Sequence, residues 1–498
     1  MDRRSFMRYG SAALASLAVG REAFAQPASH TMTMTASMPG MTMPAATAAD
    51  ALLPVSDLPV GSTLPALRTL PNQATQAGLF KATLTTRPVE VQFKPGLSTT
   101  AWAYNGQLPG PLIEVMEGDT LEIRLVNQLA QPTTVHWHGL PVPPDQDGNP
   151  GEEVPPGGER LYRFTLPLGT AGTYWYHPHP HGYTAEQAWM GLAGALIVRA
   201  KADPLAPLPE QHLLFSDLKL ATDGRIAGNS EMDWMNGREG QFVLVNGAHQ
   251  PVINVNGAQH WRLWNACNAR YLRLSLAGRP FQLVGSDGGL LAQPRTVTEL
   301  LLSPGERAQI VVSGTAGAVT LQATPYDRGK MGDVAIEQTL TLAKVLFDGA
   351  KAAPLPTRLR DIAPLTTPVA RKEVRFSEQM SMDGGVHQMI PLINGKRFDM
   401  QRVDLSSQRN AVEAWSLVND SDMDHPFHLH GTQFQVVSRS IEGKIVPAPF
   451  LAWRDTVNTR PGETVVIHTV QHQRGKRMFH CHILEHEDRG MMGMLEVI

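Results

Sequence analysis

One series of motifs recurs three times along this 498-residue chain, and it restricts the fold more than any other feature. Each copy carries an Asn-Gly pair: Asn105-Gly106, Asn246-Gly247 and Asn394-Gly395. An alternating apolar–polar run ending in asparagine follows, at residues 121–127, 261–265 and 412–419. A Pro-Gly turn leading to a glutamate comes next: Pro156-Gly157-Gly158-Glu159, Pro304-Gly305-Glu306 and Pro461-Gly462-Glu463. Another alternating run comes after the turn, as in residues 465–470. Alternation puts successive side chains on opposite faces of a strand, and Asn-Gly and Pro-Gly pairs supply tight turns. The expected class is all-β, with three similar β-sandwich or barrel domains near residues 51–200, 205–345 and 360–498. The Pro/Ala-rich stretch 352–368 reads as the linker between the second and third.

Composition agrees with this class and removes others. Glycine (44) and proline (38) are plentiful, and charged residues make up 18%, which suits a turn-rich β protein. A formal charge of −3 gives no electrostatic case for nucleic-acid binding. Arg3-Arg4-Ser5-Phe6-Met7-Arg8 is a twin-arginine signature, followed by a short apolar run at 11–19 and the small-residue site Ala23-Phe24-Ala25. Residues 1–25 therefore read as an export signal, and the mature protein as periplasmic. Residues 26–50 form a low-complexity tail containing Met32, Met34, Met38, Met41 and Met43. No later stretch reaches the ~18 apolar residues of a membrane span.

The chemistry is concentrated in four histidine clusters: His136-Trp137-His138, His177-Pro178-His179, His425 to His430, and His480-Cys481-His482 with His486. Ten of the chain's eighteen histidines fall in them, all in the first and third repeats. Each cluster contains a His-x-His step, which on a strand puts both imidazoles on one face. Crowded neutral imidazoles bring no structural gain, and each is a good ligand for copper. Cys481 adds a thiolate and Met491 a thioether, so His425, Cys481, His486 and Met491 offer the ligand types of a blue-copper site. Strand alternation aims His480 and His482 away from the metal at Cys481, so one strand would touch two metal centres. That arrangement predicts an oxidase. Cys267, in the context Trp264-Asn265-Ala266-Cys267, is expected to be a buried inert thiol, and no disulfide is expected.

These clusters resemble the signatures of the multicopper oxidases, the family of laccases, ascorbate oxidase and bacterial copper-efflux oxidases. The resemblance implies three cupredoxin-like Greek-key domains and four copper ions. It places a type 1 copper on His425, Cys481, His486 and Met491, and a type 2 copper on His136 and His428. A type 3 pair falls to His138, His177, His179, His430, His480 and His482. It further implies that Asp147 and Glu487 deliver protons to dioxygen, and that Met423 and Asp145 hold a substrate Cu(I) ion. His181 has no ligand counterpart, and Ser421 stands where an acidic substrate ligand is expected. The implied reaction couples one-electron oxidation of Cu(I), phenols or aromatic amines to reduction of dioxygen to water by a monomer, with a role in copper tolerance. A general laccase is the alternative reading. Some proteins of this fold lack copper and serve as cell-division scaffolds, a reading that the full ligand set opposes.

Overall fold

Each alternating run that ends in asparagine is a strand, and all three are held in the same way. Thr120–Asn127, Gln259–Asn265 and Val412–Asn419 each pair parallel with an earlier long strand: Leu79–Lys94, Glu210–Leu218 and Ala370–Asp383 respectively. Each also pairs antiparallel with the strand that follows its Pro-Gly turn: Glu159–Thr165, Arg307–Val312 and Glu463–Val470. The computed structural model describes residues 51–351, 353–365, 367–383 and 386–498. The twin-arginine signature and the methionines of the 26–50 tail lie outside the described residues.

The terminal asparagine of each run has a structural task. Asn127, Asn265 and Asn419 are buried, and each donates from Nδ2 to two main-chain carbonyls: Gln131 and Val154, Arg270 and Leu302, Met423 and Thr459. Each Oδ1 accepts from the amide two residues on. A buried amide thus satisfies loop groups that no sheet ladder can reach. The Asn-Gly pairs adopt positive φ at both positions (52° and 70°, 52° and 81°, 51° and 71°), as a type I′ turn requires. Their asparagines reach back to accept from Thr85, Leu214 and Arg375 on the long first strands.

Among the described residues six sheets result, two for each repeat. The first two share a core in which Leu84, Leu125 and Tyr162 meet Ile113, Trp137 and Tyr176. In the middle pair, Leu213, Trp261 and Ile310 meet Leu274, Leu321 and Val345; in the last, Val374, Trp415 and Ile467 meet Phe427, Phe479 and Leu495. Face-to-face burial of alternate residues is what the period-two pattern demands. Cys267 is buried in the middle core, and both cysteines are free. The described helices are short: Thr184–Trp189, Glu231–Asn236 and Leu484–Asp488. None is long and apolar enough to cross a membrane.

Two strand pairs set the functional residues. His136–His138 runs antiparallel to Gly172–His177, with His136 opposite His177. His425–Leu429 runs antiparallel to Gly475–Cys481, with Phe427 opposite Cys481 and His428 opposite His480.

Candidate metal centres

Backbone carbonyls and carboxylates only accept hydrogen bonds, so they reveal which nitrogen of each buried imidazole carries its proton. Nδ1–H of His428 donates to the carbonyl of Asp455 at 2.8 Å, and Nδ1–H of His480 to that of Cys481 at 2.9 Å. Nδ1–H of His177 is turned to the carbonyl of Pro178 at 2.8 Å. Asp147 takes two rings at once: Oδ1 lies 3.0 Å from Nδ1 of His136 and Oδ2 3.1 Å from Nδ1 of His430. In all five rings the opposite nitrogen, Nε2, is left as a bare lone pair. His138 is turned the other way, because its Nε2 lies 3.0 Å from Oδ1 of Asp455. That frees Nδ1.

The bare nitrogens converge. Nε2 of His430 and Nε2 of His480 are 3.1 Å apart; Nε2 of His179, which also lies 3.3 Å from Oε1 of Glu487, is 3.3 Å from that of His480. Nε2 of His136 and of His428 are 3.3 Å apart. Nδ1 of His138, Nε2 of His177 and both nitrogens of His482 have no hydrogen-bond partner. These last three rings lie with centroids 4.9–5.7 Å apart. Burial, then neighbouring imidazoles, holds His138, His177, His179, His428, His430 and His482 well below the usual histidine pKa, and burial takes His480 down to about 3. Neutral rings cannot hydrogen-bond through two facing lone pairs, so a cation is what would reconcile them.

A second centre lies on the other face of the same strand. His425, Cys481 and His486 bring ligand atoms within 4.8 Å of one another. Nδ1 of His425 is 3.4 Å and Nδ1 of His486 3.9 Å from Sγ of Cys481. The far nitrogens are committed: Nε2–H of His486 donates to the carbonyl of Met235 at 3.0 Å, and that of His425 to Oγ of Ser421 at 2.8 Å. The amide of Ile483 donates to Sγ at 3.4 Å. Met491 is buried beside this loop, its amide bonded to the His486 carbonyl and its carbonyl accepting from the Cys481 amide. Burial pushes the Cys481 thiol far up, so a thiolate here requires a compensating cation.

Two segments, residues 85–203 and 369–498, match family models described as multicopper oxidase. A solved multicopper oxidase from Campylobacter jejuni, described as a metallo-oxidase, superposes with a TM-score of 0.87 at 44% identity, over 90% of this chain and 97% of that one. The multicopper oxidase mco of Staphylococcus aureus is 33% identical over 84% of this chain and 89% of its own. This chain belongs to the multicopper oxidase family. The cell division protein FtsP of Photorhabdus laumondii is also similar, 29% identical over 83% of this chain and 89% of its own.

A multicopper oxidase implies copper, dioxygen and a reductant, and the donors fit: crowded neutral imidazoles, one buried thiol and a buried thioether are copper ligands. Among the described residues, every ligand cluster comes from the first and third sheet pairs. His181 is exposed, its ring edge-on to Phe398 at 5.2 Å. Glu487 is buried with Oε1 3.3 Å from Nε2 of His179 and Oε2 3.1 Å from Nδ1 of His480. Burial raises the pKa of Glu487 well above, and that of Asp147 above, the ordinary carboxylate range.

The expected pairing of Asp145 with Met423 needs correction. Asp145 is exposed on the turn Pro144–Gln146, whose Pro144 packs at Gly475. Cys481 ends the strand that Gly475 begins, roughly 20 Å away at ~3.3 Å per residue. Met423 is buried near the Cys481 end, where its sulfur accepts from Nη1 of Arg328 at 3.3 Å. The two cannot grip one substrate ion. Sequence reasoning also missed Glu378, whose Oε1 lies 3.3 Å from Nε2 of His425, beside Ser421. This carboxylate comes from the third repeat's long strand, where period-two alternation gives no hint of a functional side chain. Asp455 was missed too. It fixes His138 and is clamped by both terminal nitrogens of Arg307, whose Nη1 lies 3.6 Å from Asp287.

Proposed function

We propose that this protein is a four-copper oxidase that takes electrons one at a time from a small reductant and reduces dioxygen to water. The observation carrying this reading is the His430–His480 contact, two fully buried neutral imidazoles presenting bare nitrogens to each other at 3.1 Å. His425, Cys481, His486 and Met491 would hold the type 1 copper, and His136 and His428 the type 2. The type 3 pair would fall to His138, His177 and His482 on one side and His179, His430 and His480 on the other. When bound, copper supplies the one-electron chemistry and the activation of dioxygen.

The chain's own residues do the rest. Carbonyls of Asp455, Cys481, Pro178 and Met235 hold protons on the outward nitrogens of His428, His480, His177 and His486, which fixes each ring's orientation. Asp147 spans two of the candidate ligands and Glu487 another two, so both carboxylates stand where protons must arrive as dioxygen is reduced. Between Cys481 and each of His480 and His482 the route for an electron is one stretch of main chain.

Among reductants we favour Cu(I) over phenols and aromatic amines, with a role in copper tolerance. Three features support this order: the five-methionine tail, the metallo-oxidase description of the Campylobacter relative, and Glu378 beside His425. Export to the periplasm by the twin-arginine route is supported by Arg3-Arg4 and the short apolar run behind them. A cell-division role, prompted by the FtsP relatives, makes no demand on ten clustered histidines and a buried cysteine. The test is copper content and the visible thiolate charge-transfer band of loaded protein, with oxygen uptake on Cu(I), Fe(II) and a methoxyphenol. Colourless loaded protein that consumes no oxygen would overturn the reading.

A further inference from the structure

A cleft of about 390 Å³ opens between the middle and third sheet pairs, lined by Tyr326, Arg439, Phe450, Arg454, Asn458 and Arg460 among others. We propose that it binds aromatic reductants carrying an anionic group, such as phenolic carboxylates or sulfonates; this rests on the oxidase reading above.

Charge and depth set the ligand class. Glu463 pairs with Arg439 and Arg460, and Glu306 with Arg454. Glu306 lines the cleft as well, but the carboxylates are the more deeply set partners: Glu463 is 0% and Glu306 8% exposed, whereas the arginines are 35%, 49% and 25% exposed. A visitor therefore meets guanidinium groups, whose planar forks suit carboxylate or sulfonate oxygens. Arg295 stands over the ring of the lining residue Phe450 at 4.7 Å. Phe450, Pro449 and Val436 supply an apolar wall for an aromatic ring.

The floor connects this cleft to the candidate copper ligands. The side chain of Asn458 donates to Oδ2 of Asp424 at 2.5 Å, and the hydroxyl of Tyr326 donates to the same atom at 2.7 Å. Asp424 directly precedes His425, and Asn458 sits opposite Pro426 in the sheet. One hydrogen bond and one residue separate the cleft from an imidazole 3.4 Å from Cys481. Each bound phenol would give one electron towards His425 and release its phenolic proton to solvent, leaving an aryloxyl radical. Four such events supply the four electrons, and solvent the four protons, that convert one dioxygen to two waters.

Binding of benzenesulfonate, which is not oxidised, would be measured calorimetrically on copper-loaded protein against neutral benzenesulfonamide. The proposal expects the sulfonate to bind more tightly, and Arg454→Gln and Arg460→Gln each to weaken it about tenfold, while Arg454→Lys keeps most of the affinity. The kcat/KM ratio of 4-hydroxy-3,5-dimethoxybenzoate to neutral 2,6-dimethoxyphenol should fall in parallel. Equal affinity for the two probes, or glutamine variants that bind and discriminate like wild type, would overturn it. Should Arg454→Gln not fold, Arg460→Gln and Arg454→Lys carry the same comparison. Because the sulfonate titration needs no turnover, loss of all oxidase activity with binding intact would count against the oxidase reading alone.

Discussion

His428 and His480 face each other across an antiparallel pair, and one step along the same register Phe427 faces Cys481. The faces then alternate. His428 and His480 turn towards the imidazoles of the first repeat, while Cys481 turns towards His425 and His486. Two candidate centres thus share one ladder of main-chain hydrogen bonds, and the spacing between them is as rigid as the sheet.

That rigidity depends on the buried asparagines, and the middle repeat allows their structural part to be measured alone. Asn265→Ala removes two donors to buried carbonyls and one acceptor. It should destabilise the protein by about 2–4 kcal/mol, the usual cost of stranding buried polar groups. The expected outcome is a lower denaturant midpoint with copper content unchanged, because no candidate ligand lies in this repeat. Asn419→Ala should cost a similar amount and also shift the thiolate absorption band, because its amide holds the Met423 carbonyl two residues before His425.

The repeat, the strands, the turns and the ligand clusters were legible in the sequence because each rests on a local pattern: period-two alternation, an Asn-Gly pair, a His-x-His step. What was not legible depends on contacts between distant segments. Asp455 meets His138 from 317 positions away, and nothing in Arg454-Asp455-Thr456 marks that carboxylate. Glu378 reaches His425 from a strand of the other sheet of the third repeat, so the acidic group expected at Ser421 is present in space though absent at that sequence position. Asp145 and Met423 failed as a pair for the converse reason: similarity of motif cannot measure the length of the strand between them.

Asp455 carries two tasks, and Asp455→Asn should separate them. The carboxylate pairs with the fully buried Arg307 and orients His138. Removing its charge leaves Arg307 with Asp287 at 3.6 Å, so part of the ~3–5 kcal/mol cost of breaking a buried pair should appear. The same change weakens the hold on His138, for which a 10- to 100-fold loss of metal affinity or activity is typical. Equilibrium unfolding and copper retention against a chelator check the two effects. Thiolate colour should survive, because Cys481 lies on the opposite face of the strand.

Asp147→Asn and Glu487→Gln keep shape and remove the capacity to hold and pass a proton. Under the proposed assignment each should slow oxygen-dependent reoxidation by about 10²-fold, with the thiolate band intact. Stopped-flow reoxidation of fully reduced protein isolates that step. Unchanged rates in both variants would remove the proton-delivery role and leave the two carboxylates as ring-orienting groups.

Glu378→Gln tests the choice of reductant. The carboxylate is buried except for a 9% exposed edge, and Oε1 sits 3.3 Å from the outward nitrogen of His425 with no hydrogen-bond partner of its own. A cuprous or ferrous ion approaching that edge gains from the negative charge, whereas a neutral phenol does not. The neutral variant should therefore raise KM for Cu(I) about tenfold while changing KM for 2,6-dimethoxyphenol far less. The Ser421–His425 hydrogen bond remains in the variant, so the imidazole keeps its orientation and the comparison isolates charge. Equal effects on both reductants would mean that Glu378 tunes the copper centre and does not recruit the ion, and the preference for Cu(I) would then lose its support at this position.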